Sequence, residues 1–106
     1  MNYDLNNYQT EALSFRLPSA DSSYALLNLG GEVGELYSLL AKGIRDGRQA
    51  DYAVNVKKEL GDILWCLAAV AADHRLTLAD LAQGNIDKLT ARKKNNTLTG
   101  SGDNRE

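Results

Sequence analysis

Apolar residues recur at helical spacing along almost the whole chain, and two long stretches keep that spacing without a break. Proline occurs once, at Pro18, and no stretch alternates for long enough to read as a strand. Such a chain can fold only by burying helix faces against other helix faces, so the predicted class is all-α. The spacing predicts a first helix over 4–15, with Leu5, Tyr8, Ala12 and Phe15 on one side. The segment Leu17-Pro18-Ser19-Ala20-Asp21 breaks it. A second, longer helix is predicted over 22–44, with Asp21, Ser22 or Ser23 as its cap. Asp46-Gly47-Arg48 reads as a turn, and a third helix follows over 50–73. Thr77-Leu78-Ala79-Asp80 is a capping box, which starts a fourth helix that ends near Lys94. Residues 95–106 are polar, with Gly100 and Gly102, and read as a flexible tail after a helical domain over 1–94. Four helices with short connections predict a four-helix bundle-like arrangement. No segment of the chain repeats at this level of reading.

The totals narrow the class of function. One hundred and six residues make one domain. Apolar residues at 43% and charged residues at 25% are ordinary for a globular chain. The net charge of −2 argues against non-specific nucleic-acid binding, which needs a basic patch. No uncharged apolar run reaches the ~20 residues of a membrane span. Met1-Asn2-Tyr3-Asp4 lacks the basic start of a secretory signal. Cys66 is the only cysteine, so no intramolecular disulfide forms. The expectation is a cytoplasmic protein with neither nucleic acid nor membrane as partner.

The two long helices carry the informative chemistry. Between residues 22 and 41 the only charged side chains are Glu32 and Glu35, whereas a solvated helix carries several. At ~100° per residue, Leu26, Leu29, Val33, Leu36 and Leu40 form one apolar stripe, with Glu32 inside its arc and Glu35 at the edge. The opposite face holds Gly30, Gly34, Ser38 and Ala41, small residues that admit another backbone. Helix glycines cost roughly 1 kcal/mol each relative to alanine, so their number here points to close packing or close approach of a ligand. So little charge on any face predicts a symmetric oligomer, a dimer at least. The third helix repeats the pattern. Tyr52, Val56, Leu60, Ile63, Leu67 and Val70 form its apolar face, with Glu59 within that arc and Asp62 beside it. Each helix thus sets two carboxylates three residues apart, on or next to its buried face.

Four carboxylates converging in a bundle interior are costly unless some are protonated or cations lie between them. Hard oxygen ligands suit magnesium or manganese better than zinc, and magnesium leaves coordination positions for water and phosphate. An ion-pair network drawing on Lys42, Arg45, Lys57 and Lys58 is the competing reading of the same residues, and wheel geometry alone does not choose between them. No G-x-x-x-x-G-K-[ST] loop occurs, so P-loop chemistry is excluded.

Gly31-Glu32-Val33-Gly34-Glu35-Leu36, followed after a spacer by Glu59-Leu60-Gly61-Asp62-Ile63-Leu64-Trp65, resembles the E-x-x-E, spacer, E-x-x-D signature of the MazG-like all-α nucleoside triphosphate pyrophosphohydrolases. Asn85-Ile86-Asp87-Lys88-Leu89-Thr90-Ala91-Arg92 resembles the downstream N-x-x-K-L-x-x-R segment of that family. Tyr8-Gln9 with Ala12 looks like its N-terminal helix, and the stretch from Leu98 to Arg105 is similar to the tail of short phage and bacterial members. The resemblance implies hydrolysis of a nucleoside triphosphate between the α- and β-phosphates, giving a monophosphate and pyrophosphate, in the clearance of non-standard or surplus nucleotides. It implies Mg2+, with Mn2+ as an alternative, held by Glu32, Glu35, Glu59 and Asp62. It also implies a homodimer or dimer of dimers whose subunits share active sites. A catalytically silent nucleotide-binding or dimerisation module of the same fold is the alternative function.

Other residues carry two readings each. Asn85, Lys88 and Arg92 share one helix face and suit phosphate contacts, or serve as a polar set favoured near a helix C-terminus. Lys42 lies on the Glu35 side of its helix and suits a phosphate or Glu35 itself. Trp65 suits a subunit interface better than a stacked base, and Tyr24 and Tyr37 suit the core better than a base platform. His74 reads as a helix-end residue and Cys66 as an inert buried thiol.

Overall fold

The computed structural model describes residues 4–100 and Gly102, and among these it is entirely helical. Four helices occur in order: α1 (Leu5–Leu13), α2 (Ser22–Asp46), α3 (Tyr52–Asp73) and α4 (Leu78–Lys94). The first two begin on aspartates whose carboxylates accept from a backbone N–H of the first turn, Asp4 from Asn7 and Asp21 from Tyr24. At α4 the capping box is complete: Thr77 accepts from the Asp80 N–H at 3.0 Å, and the Asp80 carboxylate accepts from the Thr77 N–H at 3.1 Å.

Both α3 and α4 stop by the same device. After His74 the chain turns through Arg75 at φ +59°, and the Leu76 N–H donates to the Ala71 carbonyl at 2.9 Å. After Asn95 it turns through Asn96 at φ +58°, and the Thr97 N–H donates to the Arg92 carbonyl at 2.7 Å. These are six-to-one closures over a left-handed residue, built here without glycine. The expected tail therefore starts with an ordered turn. Farther on, Arg92 donates to the Gly102 carbonyl at 3.3 Å.

The core is small and lies at one end. Ala68, Ala71 and Leu78 are buried together, with Tyr8 and Leu64 packed against them, so α1, α3 and α4 meet there. Two side chains fix α1 in place. Gln9 is buried; its amide donates to the carbonyls of Ala68 (3.1 Å) and Leu76 (3.2 Å), and its oxygen accepts from the Leu78 N–H (3.0 Å). The Trp65 indole N–H donates to the Ala12 carbonyl at 2.9 Å. Trp65 thus takes part in the α1–α3 contact. Arg16 clamps the loop after α1 onto the end of α3 through two bonds to Asp73, at 2.8 and 2.9 Å.

The second helix packs on α3 and on no other described helix. Its protected line runs through Ala25, Leu29, Glu32, Leu36, Leu39 and Gly43, alternating four- and three-residue steps as in a coiled-coil seam. The expected stripe was rotated from this. Leu26 is 58% exposed and Leu40 38%, because the small residues Ala25 and Gly43 set the line of closest approach instead. At Gly43 an added Cβ would stand 3.0 Å from the Tyr52 ring, so this glycine admits the aromatic that closes the hairpin. On α3, Leu60 and Leu67 likewise turn out exposed, while Cys66, Ala68, Ala69 and Ala71 are buried. The all-α, four-helix expectation holds. The bundle is open, since α2 covers one side of α3 and leaves its own other faces uncovered.

Candidate metal centre

Antiparallel packing of α2 on α3 decides which side chains meet. Near the turn Gly43 faces Tyr52, and about four turns away the Asn28 amide donates to the Cys66 sulfur at 3.5 Å. Between these fixed points Glu32 comes opposite Glu59 and Asp62. One carboxylate oxygen from each of the three lies within 4.8 Å of the others. Glu32 and Glu59 are half-buried and Asp62 is exposed. Glu35, the fourth predicted ligand, is exposed and outside this grouping, yet near enough to raise the pKa of Glu32. Burial raises it most, followed by Asp62, Glu59 and Glu35. Mutual repulsion is therefore written into the site.

The competing ion-pair network does not form. The ion pairs Arg16 with Asp73 and Arg45 with Asp46 involve no cluster acid. Lys42, Lys57 and Lys58 are all exposed. Three carboxylates gathered without a protein cation fit a hard divalent ion: one or two carboxylates bind magnesium, and its other positions stay open to water and phosphate.

The surroundings differ on the two sides of the cluster. Toward α1, Tyr8 lies close to Asp62; burial and then that carboxylate push its phenol above the ordinary range. Tyr8, Glu11, Ala12, Phe15 and Trp65 line a 240 Å³ depression there. The Cys66 thiol is raised as well, by burial and then by Glu32, which keeps it protonated and inert. Toward the α2–α3 turn, a 220 Å³ pocket includes Lys42, Tyr52 and Asn55 in its lining. The Arg48 guanidinium lies 4.7 Å over the Tyr52 ring at its edge.

The remaining predicted contacts lie on α4, which touches α1 and α3 but not α2. Asn85 is exposed, Lys88 half-buried and Arg92 only 6% exposed. Within one chain no contact joins their helix to the one that carries Glu32 and Glu35. His74 is at the α3 end as expected, with Nδ1 2.9 Å from the Val70 carbonyl.

One sequence signal was missed. The two central helices do carry a short repeat, Asn28-x-x-x-Glu32-x-Gly34-Glu35-Leu36 and Asn55-x-x-x-Glu59-x-Gly61-Asp62-Ile63. Antiparallel packing sets its two copies about a local pseudo-twofold, with an asparagine beyond the acids at each end.

The sequence profile of the MazG nucleotide pyrophosphohydrolase domain matches residues 21–97, from the α2 cap through the end of α4. The chain belongs to this family. It is also similar to the Gene 37 protein of Mycobacterium phage L5, 36% identical over 86 residues that cover 78% of this chain and 75% of the phage protein. No solved structure matches the chain. Family membership supports a nucleotide pyrophosphohydrolase and a divalent-metal requirement. No described helix is long and apolar enough to cross a membrane.

Proposed function

We propose that the chain hydrolyses a nucleoside or deoxynucleoside triphosphate between the α- and β-phosphates, releasing the monophosphate and pyrophosphate, as a cytoplasmic house-cleaning enzyme. The observation that carries this reading is the convergence of Glu32, Glu59 and Asp62, with Glu35 close by, in the absence of any described ion-pair partner. A triphosphate bears about four negative charges at neutral pH, and an all-acidic site repels it unless cations intervene. Mg2+, or Mn2+ in its place, would neutralise the phosphates and stabilise charge on the departing pyrophosphate. In the reaction a water oxygen bonds to the α-phosphorus, its proton passes to a carboxylate, and the bond to the bridging oxygen breaks with its electron pair leaving on pyrophosphate. Lys42, Asn85, Lys88 and Arg92 supply the phosphate contacts in this reading. Incubation with a panel of triphosphates should release pyrophosphate only when magnesium is present. Binding without release would instead support the silent module, and no response at all would leave a structural bundle.

The site needs a second copy to be complete. The structure exposes 8010 Å², against roughly 5,800 Å² for a folded monomer of 11.6 kDa. Its radius of gyration is 16.7 Å, where about 13 Å is usual at this length. Much of the uncovered surface of α2 is apolar or small: Leu27 is 77% exposed and Ile44 88%, and a Cβ added at Gly30, Gly31 or Gly34 would touch nothing. A homodimer, or a dimer of dimers, covers these faces and can bring one copy's α4 to the other's acids. Light scattering at micromolar concentration should give at least twice 11.6 kDa; a monomer mass would reject the arrangement.

A further inference from the structure

We propose that the depression between α1 and α3 seats the nucleobase of the substrate, and that Glu11 selects guanine there. This rests on the triphosphate-cleaving reading above and names the class of substrate for that site. The depression adjoins the acids: Trp65 in its wall follows Asp62 by three residues of α3, about 4.5 Å along the helix. At 240 Å³ it suits one flat ring system rather than a whole nucleotide, since sites that enclose drug-sized ligands run to ~300–1,000 Å³. Its aromatic walls are arranged for stacking. The Trp65 indole N–H is committed to the Ala12 carbonyl at 2.9 Å, which fixes the plane of the ring. Phe15 lines the same depression and is 74% exposed, so its ring is open to a second flat partner. Stacking of this kind accepts every base, because every base has a π-face, and so it does not choose among them.

The choice falls to the polar part of the wall. Glu11 is exposed and is the charged residue of the lining, which otherwise offers the Tyr8 hydroxyl. An ionised carboxylate only accepts hydrogen bonds. It has about four acceptor positions, so it can take base N–H groups beside any protein donor. Guanine presents two donors side by side, a ring N–H and the adjacent amino group, and a carboxylate can grip both with its two oxygens. Adenine and cytosine set their amino group beside a ring nitrogen that is itself an acceptor. Thymine and uracil set a single N–H between two carbonyls. Against any of these a carboxylate meets a lone pair as well as a donor, and part of the contact is repulsive.

Trp65 is the only tryptophan of the chain, so its fluorescence reports on this wall directly. The test is fluorescence titration of dGMP, dAMP, dCMP and dTMP with magnesium, onto the wild type and the Glu11→Gln, Glu11→Ala and Phe15→Ala variants. The expected result in the wild type is an affinity for dGMP about tenfold or more above that for the other three. Glu11→Gln, whose amide both donates and accepts, should lose about tenfold for dGMP and gain for dAMP. Glu11→Ala should bring the four within about threefold of one another, and Phe15→Ala should weaken all four alike by about fivefold or more. Equal affinities in the wild type, a base order that survives Glu11→Ala, or no Trp65 response to any of the four would overturn the proposal. The enzymatic reading fails separately. A wild type with this base order that cleaves no triphosphate removes the reaction and leaves the base pocket, whereas one that cleaves all triphosphates alike removes the selection and leaves the reaction.

Discussion

Neutralising any one of the four acids should lower magnesium-dependent turnover by at least ~100-fold without unfolding the protein. Glu32→Gln, Glu35→Gln, Glu59→Gln and Asp62→Asn keep size and shape and remove charge. The useful part is the sign of the stability change. Glu32 has its pKa raised by burial and by the neighbouring carboxylates, so the metal-free fold favours its protonated form. That contribution is fully present below the ordinary value of 4.5 and is lost as pH rises through the raised folded value. Metal-free wild type should therefore melt lower near neutral pH than just above pH 4.5, as far as Glu32 decides it. Glu32→Gln should melt no lower than wild type at pH 7 and lack this slope. A buried ion-pair network predicts the reverse, since removing one partner strands a charge and costs ~3–5 kcal/mol. Active but destabilised variants would remove the catalytic reading.

The second large effect is expected at Gln9, an uncharged side chain. Its amide uses both kinds of hydrogen-bonding capacity at once, donating to Ala68 and Leu76 and accepting from Leu78. The amide orientation follows from those partners, since only the nitrogen can serve two carbonyls. Gln9→Ala leaves the buried Leu78 N–H without an acceptor and opens a gap between α1 and the α3–α4 connection. The expected cost is about 3 kcal/mol, a large part of the ~5–15 kcal/mol that holds a domain together. Gln9→Glu should cost at least as much, because a carboxylate would face two carbonyl oxygens. Urea unfolding measures both, and a loss under about 1 kcal/mol would mean that apolar contact alone docks α1.

Much of this was legible in the sequence for physical reasons. Helical period, one proline and a capping box at Thr77 placed four helices to within about two residues of their observed ends. The scarcity of charge between residues 22 and 41 identified Glu32 and Glu35 as unusual before any geometry was known. What the sequence hid depends on which neighbour a face meets. A wheel weights leucines by size, and so it chose Leu26 and Leu40 over Ala25 and Gly43, where close approach is set by small residues. Trp65 offered no sign that its indole N–H would find the Ala12 carbonyl, a contact 53 residues away in sequence. The partners of Gln9 lie beyond residue 67, so its clamp is not visible from its own helix. The repeat around Asn28 and Asn55 was visible in principle, as identical spacing to an acid on both helices, but only antiparallel packing gives that spacing a meaning.

Manganese binding offers the most direct view of the acidic cluster, because Mn2+ replaces Mg2+ at oxygen sites and its free form is read by electron paramagnetic resonance. Titration of the wild type should show bound Mn2+ at sub-millimolar concentration. Glu59→Gln and Asp62→Asn, folded and melting no lower than wild type, should each lose that binding by about tenfold or more. Retention of wild-type Mn2+ affinity in both variants would contradict the account, because the metal would then lie somewhere other than between Glu32, Glu59 and Asp62.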